Sequence, residues 1–161
     1  MAGATRVVFL GSDHGGFELK ERLEAFLEAK GLTVKDLGTH GPESVDYPDF
    51  AYLVARAVAE ARAAGLEAYG VMVDSVGVAS AMVCNRVPGI RAACCWDEFV
   101  ARSAREHNDA NVLTLGGRVL GQALAERILE VFLETAYAGG RHARRVAKIH
   151  LLAGEPAPGG R

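Results

Sequence analysis

The stretch Tyr69-Gly70-Val71-Met72-Val73-Asp74-Ser75-Val76-Gly77-Val78-Ala79-Ser80 constrains the fold of this chain more than any other. Residues 69–73 are apolar and rich in β-branched side chains, as a strand covered on both faces must be. The run stops at a carboxylate, passes through small residues and enters Ala79-Ser80-Ala81-Met82-Val83, which reads as a helix start. A strand, a tight turn and a helix N-terminus in that order place backbone N–H groups around an anion. In an open parallel sheet, ligands sit outside the carboxyl ends of the strands. Asp74 therefore stands where a ligand would be met.

The same alternation runs through the whole chain. Apolar runs predict strands over residues 6–10, 32–37, 69–73, 90–96 and 112–115, the second nearer a sheet edge because it alternates more. Between them, Phe17, Leu19, Leu23, Phe26 and Leu27 recur at helical spacing, with Lys20, Glu21, Glu24 and Glu28 on the other face and Lys30-Gly31 as the stop. Further helices are expected over 49–64, from 79 to 86, over 97–106 with Asp97 as N-cap, over 120–135 and over 141–152. Five alternations predict a three-layer α/β/α sandwich, Rossmann-like, around a five-stranded parallel sheet. One domain, residues 1–152, accounts for the pattern, and the Gly/Pro-rich residues 153–161 are expected to be a disordered tail. Strand order cannot be read from these patterns.

Composition removes several classes of function. The net charge is −2, which argues against nucleic acid or an anionic membrane as partner. No apolar run approaches the roughly 20 residues of a membrane helix. The N-terminus enters a strand without the apolar core of a signal peptide, so the cytoplasm is the expected compartment. Cys84, Cys94 and Cys95 form neither a disulfide frame nor a zinc site and read as small buried hydrophobes. The histidines are scattered, so neither a metal nor another cofactor is expected.

The polar residues that could do chemistry fall in loops after strands or at helix ends. Asp13 and His14 offer an acid/base pair beside Gly15 and Gly16, although Asp13 reads equally as a helix cap. Asp74 closes an apolar strand, where a carboxylate needs hydrogen bonds or a ligand to compensate its burial, and it too could simply cap the next helix. His107 and Asn108 combine a proton carrier with an amide donor; the alternative is a turn in which Asn108 and Asp109 bond their own backbone. Arg141 and Arg145 lie one helical turn apart, a spacing that clamps a phosphate or merely decorates a solvated basic helix.

Together these segments resemble the ribose-5-phosphate isomerase type B and galactose-6-phosphate isomerase family. The resemblance runs from Val7 to about Ile149. It is carried by Gly11-Ser12-Asp13-His14-Gly15-Gly16, Val45-Asp46-Tyr47-Pro48, Asn85-Arg86-Val87-Pro88-Gly89-Ile90-Arg91-Ala92, His107-Asn108-Asp109-Ala110-Asn111-Val112, Gly117-Arg118 and residues 137–145. It implies metal-independent aldose–ketose isomerisation of a sugar phosphate, ribose 5-phosphate first. It also implies a homodimer or dimer of dimers whose sites are built from both subunits. Carried over by position, Asp13, His14 and Tyr47 face the sugar and His107 helps to open its ring. Asn108 stabilises the enediolate, and Arg141 and Arg145 bind phosphate with His142 and Arg118 nearby.

The central loop departs from that family. Ribose-5-phosphate isomerases carry Cys-Gly-Thr-Gly-x-Gly there, the cysteine being the carbon base, whereas this chain has Asp74-Ser75-Val76-Gly77-Val78-Ala79. Another branch uses a glutamate a little further on, where this chain has Ser80, which cannot substitute. The A subunit of galactose-6-phosphate isomerase resembles this chain in closing the strand with aspartate, but lacks the Asp-His pair of the first loop. Three readings follow: an isomerase with Asp74 as base, with Ser75 and Gly77 lining the sugar; an A-type subunit needing a related partner subunit; or a non-catalytic phosphosugar-binding protein. The first is preferred, because the ring-opening and phosphate residues are all present.

Overall fold

The computed structural model describes residues 6–159. Five parallel strands, β1 (Val7–Ser12), β2 (Thr33–Asp36), β3 (Ala68–Asp74), β4 (Ala92–Cys94) and β5 (Val112–Gly116), form one sheet in the order β2-β1-β3-β5-β4. Every residue of β1, β3 and β5 is buried, which is why these three read as unbroken apolar runs. The alternating β2 is at the edge, as its pattern implied. At the other edge β4 is only three residues long, so Ile90, Arg91, Cys95 and Trp96, expected within it, lie outside the strand.

Six helices accompany the sheet: α1 (Phe17–Ala29), α2 (Tyr47–Ala63), α3 (Val78–Cys84), α4 (Glu98–Glu106), α5 (Gln122–Glu134) and α6 (Arg141–Leu152). On one face, Leu19, Leu23 and Leu27 of α1, Ala101 and Ala104 of α4, and Ile128, Leu129 and Phe132 of α5 cover Val8, Leu10, Val71 and Leu113. On the other face, Ala51, Val54, Ala55 and Val58 of α2 and Cys84 of α3 cover Val7, Phe9, Met72 and Val112. The α/β/α sandwich expected from the alternation is the observed architecture.

Two local outcomes differ from the sequence pattern. Lys20, expected on the polar face of α1, is wholly buried, because its ammonium is taken up by Asp36 at 2.6 Å and Glu21 at 2.7 Å. Helix α2 starts two residues early, at Tyr47, since Pro48 fits the first turn, where its missing N–H costs nothing. Asp97 caps α4 as expected, accepting from Val100 N at 2.7 Å.

The strand order decides where a ligand can go. The chain leaves β1 toward β2 on one side, and β3 returns to pair with β1 on the other. The segments that follow the two strands diverge at such a reversal, α1 to one face and α3 to the other, leaving a crevice at the carboxyl ends of the two strands. Asp13 follows β1 there, and Asp74 is the last residue of β3.

Helix α6 sits apart from the layers, at the amino end of the sheet. Its Val146 and His150 are buried. Arg91 Nη1 lies 2.9 Å from His150 Nε2, and Nδ1 of that ring lies 2.8 Å from Glu155. Glu155, in the segment expected to be a disordered tail, also accepts from Gly89 N at 3.0 Å. Residues 160–161 of that segment lie outside the described residues. Among the described residues, no helix is long and apolar enough to cross a membrane.

Candidate active site

The sequence-predicted residues form two groups at opposite ends of the sheet. The first occupies the crevice at the carboxyl ends of β1, β3 and β5. Its loops are locked together by the backbone: Asp13 N donates to Val73 O at 3.2 Å, Gly117 N to Asp74 O at 2.7 Å, and Arg118 N to Ser75 O at 3.0 Å. Gly16 is obligatory here, since a Cβ would stand 2.1 Å from Val73 O. At Gly15 a Cβ would meet Ser75 Oγ at 2.4 Å and Asp13 Oδ1 at 3.3 Å, so the first and third loops face each other across a glycine.

Asp13 is buried, and its Oδ1 accepts from Gly16 N at 3.0 Å; Gly16 and not Asp13 is the N-cap of α1, so the carboxylate braces the turn ahead of the helix instead of capping it. His14 is exposed, and its Nδ1 accepts from Val45 N at 3.2 Å. That bond fixes the tautomer with hydrogen on Nε2, a donor left for the crevice. It also draws the 38–46 loop, and Tyr47 after it, toward this end of the sheet. Arg118 is exposed on the rim after β5.

Asp74 is only 4% exposed and is held by four donors. Its Oδ1 accepts from Val76 N at 3.0 Å and from Gly77 N; its Oδ2 accepts from Ser80 N at 3.0 Å and Ser80 Oγ at 2.5 Å. The loop expected to wrap backbone N–H groups around an anion does so, and the anion it wraps is the chain's own carboxylate. Gly77 permits this with φ +83°, a left-handed turn that lets both N–H groups converge. Its carbonyl is pinned by Thr114 Oγ1 at 2.6 Å. The alternative reading of Asp74 as a cap is therefore also met, since the bonded N–H groups open α3.

Ser80, dismissed on sequence as unable to replace a glutamate, is wholly buried against Asp74. The signal that could have found it is the spacing: six residues after a strand-closing carboxylate, one turn into the following helix.

The second group lies where α4 ends and α6 begins. The His107 and His142 rings stack at 4.4 Å between centroids and 15° between planes. Ala138 N donates to Glu106 O at 2.9 Å, which holds the connection to α6 against the end of α4. Arg141 and Arg145 are exposed on the same face, and Asn108 is exposed beside them. Partial burial first, then the neighbouring His107, Arg141 and Arg145, push the His142 imidazole below its ordinary value. Such a cluster of donors and cations can hold an anion. Asp109 belongs to the scaffold instead: it accepts from Arg91 and Arg105, both at 2.9 Å, and fixes the turn that carries His107 and Asn108.

The separation is set by β5, whose five residues divide Asn111 from Gly117. At ~3.3 Å per residue this is roughly 16 Å or more between the two groups, so one copy does not bring Asp74 and His107 onto a single small ligand.

The ribose/galactose isomerase model matches residues 8–149, most of the chain. The chain belongs to that family. Ribose-5-phosphate isomerase B of Escherichia coli is 41% identical over 145 residues, 90% of this chain and 95% of that one. D-erythrulose-4-phosphate isomerase of Pectobacterium atrosepticum is 38% identical over 88% of this chain and 91% of its own length. Among solved structures, ribose-5-phosphate isomerase B of Clostridium thermocellum superposes with a TM-score of 0.86 at 45% identity, covering 92% of this chain and 97% of that one.

Proposed function

We propose that this protein is a cytoplasmic aldose–ketose isomerase of sugar phosphates, acting on ribose 5-phosphate, and that its site is completed by a second copy of the chain. The observation that carries the reading is the split of the site. The carbon base Asp74 lies at the carboxyl end of the sheet, the ring-opening His107 and the anion-binding arginines at the amino end, and a symmetric dimer joins one group of each copy to the other's.

In such a site Arg141 and Arg145 hold the phosphate with charge-assisted bonds, and His142 and Arg118 border it. His107 moves the proton that opens the sugar ring, and Asn108 donates to the oxygen that becomes negative in the enediolate. Asp13, His14, Tyr47, Ser75 and Gly77 line the sugar. Asp74 takes the proton from one carbon and returns it to its neighbour while the hydroxyl proton passes from one oxygen to the other, so that the carbonyl and hydroxyl exchange places with no net gain or loss. The chemistry asks for no cofactor or metal.

The test is turnover by the purified protein alone on four-, five- and six-carbon aldose phosphates, beside Asp74→Asn, which is nearly isosteric but takes no proton. Activity on ribose 5-phosphate that is abolished by Asp74→Asn, with phosphosugar binding retained, is the expected result. Binding without turnover in the wild type would assign the protein as a sugar-phosphate-binding or partner-dependent subunit instead. An active Asp74→Asn variant would move the base to His14 or His107.

A further inference from the structure

A carboxylate offers about four lone-pair directions, and at Asp74 all four are taken. Three of the donors are backbone N–H groups in a loop pinned by Thr114 Oγ1, Gly117 N and Arg118 N. They donate only and cannot turn. The fourth is the Ser80 hydroxyl, which rotates on a single bond and can accept as well as donate.

We infer that Ser80 is the positioning residue that lets Asp74 alternate between its ionised and protonated forms. Two physical points carry this. A backbone N–H cannot accept a hydrogen bond from an Asp74 that carries a proton, whereas a hydroxyl can turn and accept from it. Further, only the Ser80 hydroxyl can leave an Asp74 oxygen, freeing a lone pair for a carbon-bound proton, without disturbing the loop. Ser80 is wholly buried, so water does not replace it and it does not touch the sugar. The other titratable groups around the carboxylate are Cys84 on α3, Cys94 beside Gly77 on β4, Asp13 after β1 and Arg118 after β5. The Cys84 thiol donates to Ala51 O at 3.4 Å and the Cys94 thiol to Val76 O at 3.9 Å, so neither takes the hydroxyl's place on Asp74.

The inference rests on Asp74 as the base, and its test separates the two ideas. Carbon-13 NMR of the Asp74 carboxyl, titrated in the wild type, Ser80→Ala and Ser80→Thr, reads the proton equilibrium without any turnover. Ser80→Ala loses a charge-assisted bond to the ionised form and a weaker one to the protonated form, so its midpoint moves up by the difference, about one pH unit. Ser80→Thr, which keeps the hydroxyl, moves it back toward the wild type. The acid limb of the kcat profile on ribose 5-phosphate follows the same order, with KM unchanged. An NMR midpoint that Ser80→Ala leaves in place overturns the inference. A midpoint that moves while the kcat limb stays supports the hold of Ser80 on Asp74 and removes Asp74 as the base.

Discussion

The imidazoles of His107 and His142 lie face to face, 4.4 Å apart, although they come from the end of α4 and the start of α6. Partial burial first, and then repulsion from His107, Arg141 and Arg145, hold His142 below the usual histidine value of 6.5. An anion removes that repulsion. Titration of the His142 ring proton by NMR is therefore expected to show a low midpoint in the free protein and a rise when inorganic phosphate is added. A midpoint indifferent to phosphate would mean that this cluster does not bind anions. The sign for stability follows: the unfolded chain binds this proton more readily, so the His142 contribution is present above about pH 6.5 and is lost as the pH falls below it.

Arg141 and Arg145 project from an exposed face of α6 and make no side-chain hydrogen bond among the described residues. Replacing both with Ala is expected to leave the thermal midpoint unchanged. Phosphosugar affinity should fall by several kcal/mol, at ~1.5–3 per charged bond. Calorimetric titration decides it; an undiminished affinity would move the phosphate site elsewhere.

The split site allows a complementation test. Asp74→Asn damages only the carboxyl-end group, and the double arginine variant damages only the amino-end group. Unfolded together and refolded, they should recover about a quarter of the wild-type activity, because half the dimers are mixed and each mixed dimer has one intact site. Either variant alone should stay inactive. No recovery in a mixture shown to contain mixed dimers would place each site within one chain.

Gly16 and Gly121 predict opposite outcomes for the same change. A Cβ at Gly16 would collide with the backbone of β3, so Gly16→Ala should cost roughly 3 kcal/mol or more in urea unfolding. At Gly121 nothing lies within 4 Å, and Ala there should cost no more than about 1 kcal/mol, the loss of a favourable cap residue.

Burial pushes the Cys84 and Cys95 thiols up to about 12, so neither forms thiolate near neutral pH. Cys94 is half-buried and shifted the same way. A thiol-directed alkylating reagent at pH 8 should modify Cys94 first and reach the other two only on unfolding, as mass spectrometry of the labelled peptides would show.

The elements of the fold were legible in the sequence because each depends on a local period. The unbroken apolar runs of β1, β3 and β5 announce burial on two faces, the alternation of β2 announces an edge, and Asp97 announces the start of α4. The chemistry-bearing residues were legible by type, through the glycines and carboxylates that follow the strands. Lys20 was misplaced because burial of a lysine depends on Asp36, sixteen residues away, which no helical period reports. Whether Asp74 meets a ligand or its own loop depends on Gly77 turning left-handed and on Ser80 folding back, both products of packing against β5. Above all, the pattern could not reveal that β1 and β3 pair while β2 lies outside them. That choice arises from long-range strand pairing and gathers Asp13, Asp74 and Gly117 at one end. The direction of α4, antiparallel to the strands it follows, carries His107 and Asn108 to the other end. The sequence by itself determined the alternation and the reactive groups; the tertiary structure alone decided that they lie apart, because a helix returning along the sheet must end where the next strand begins.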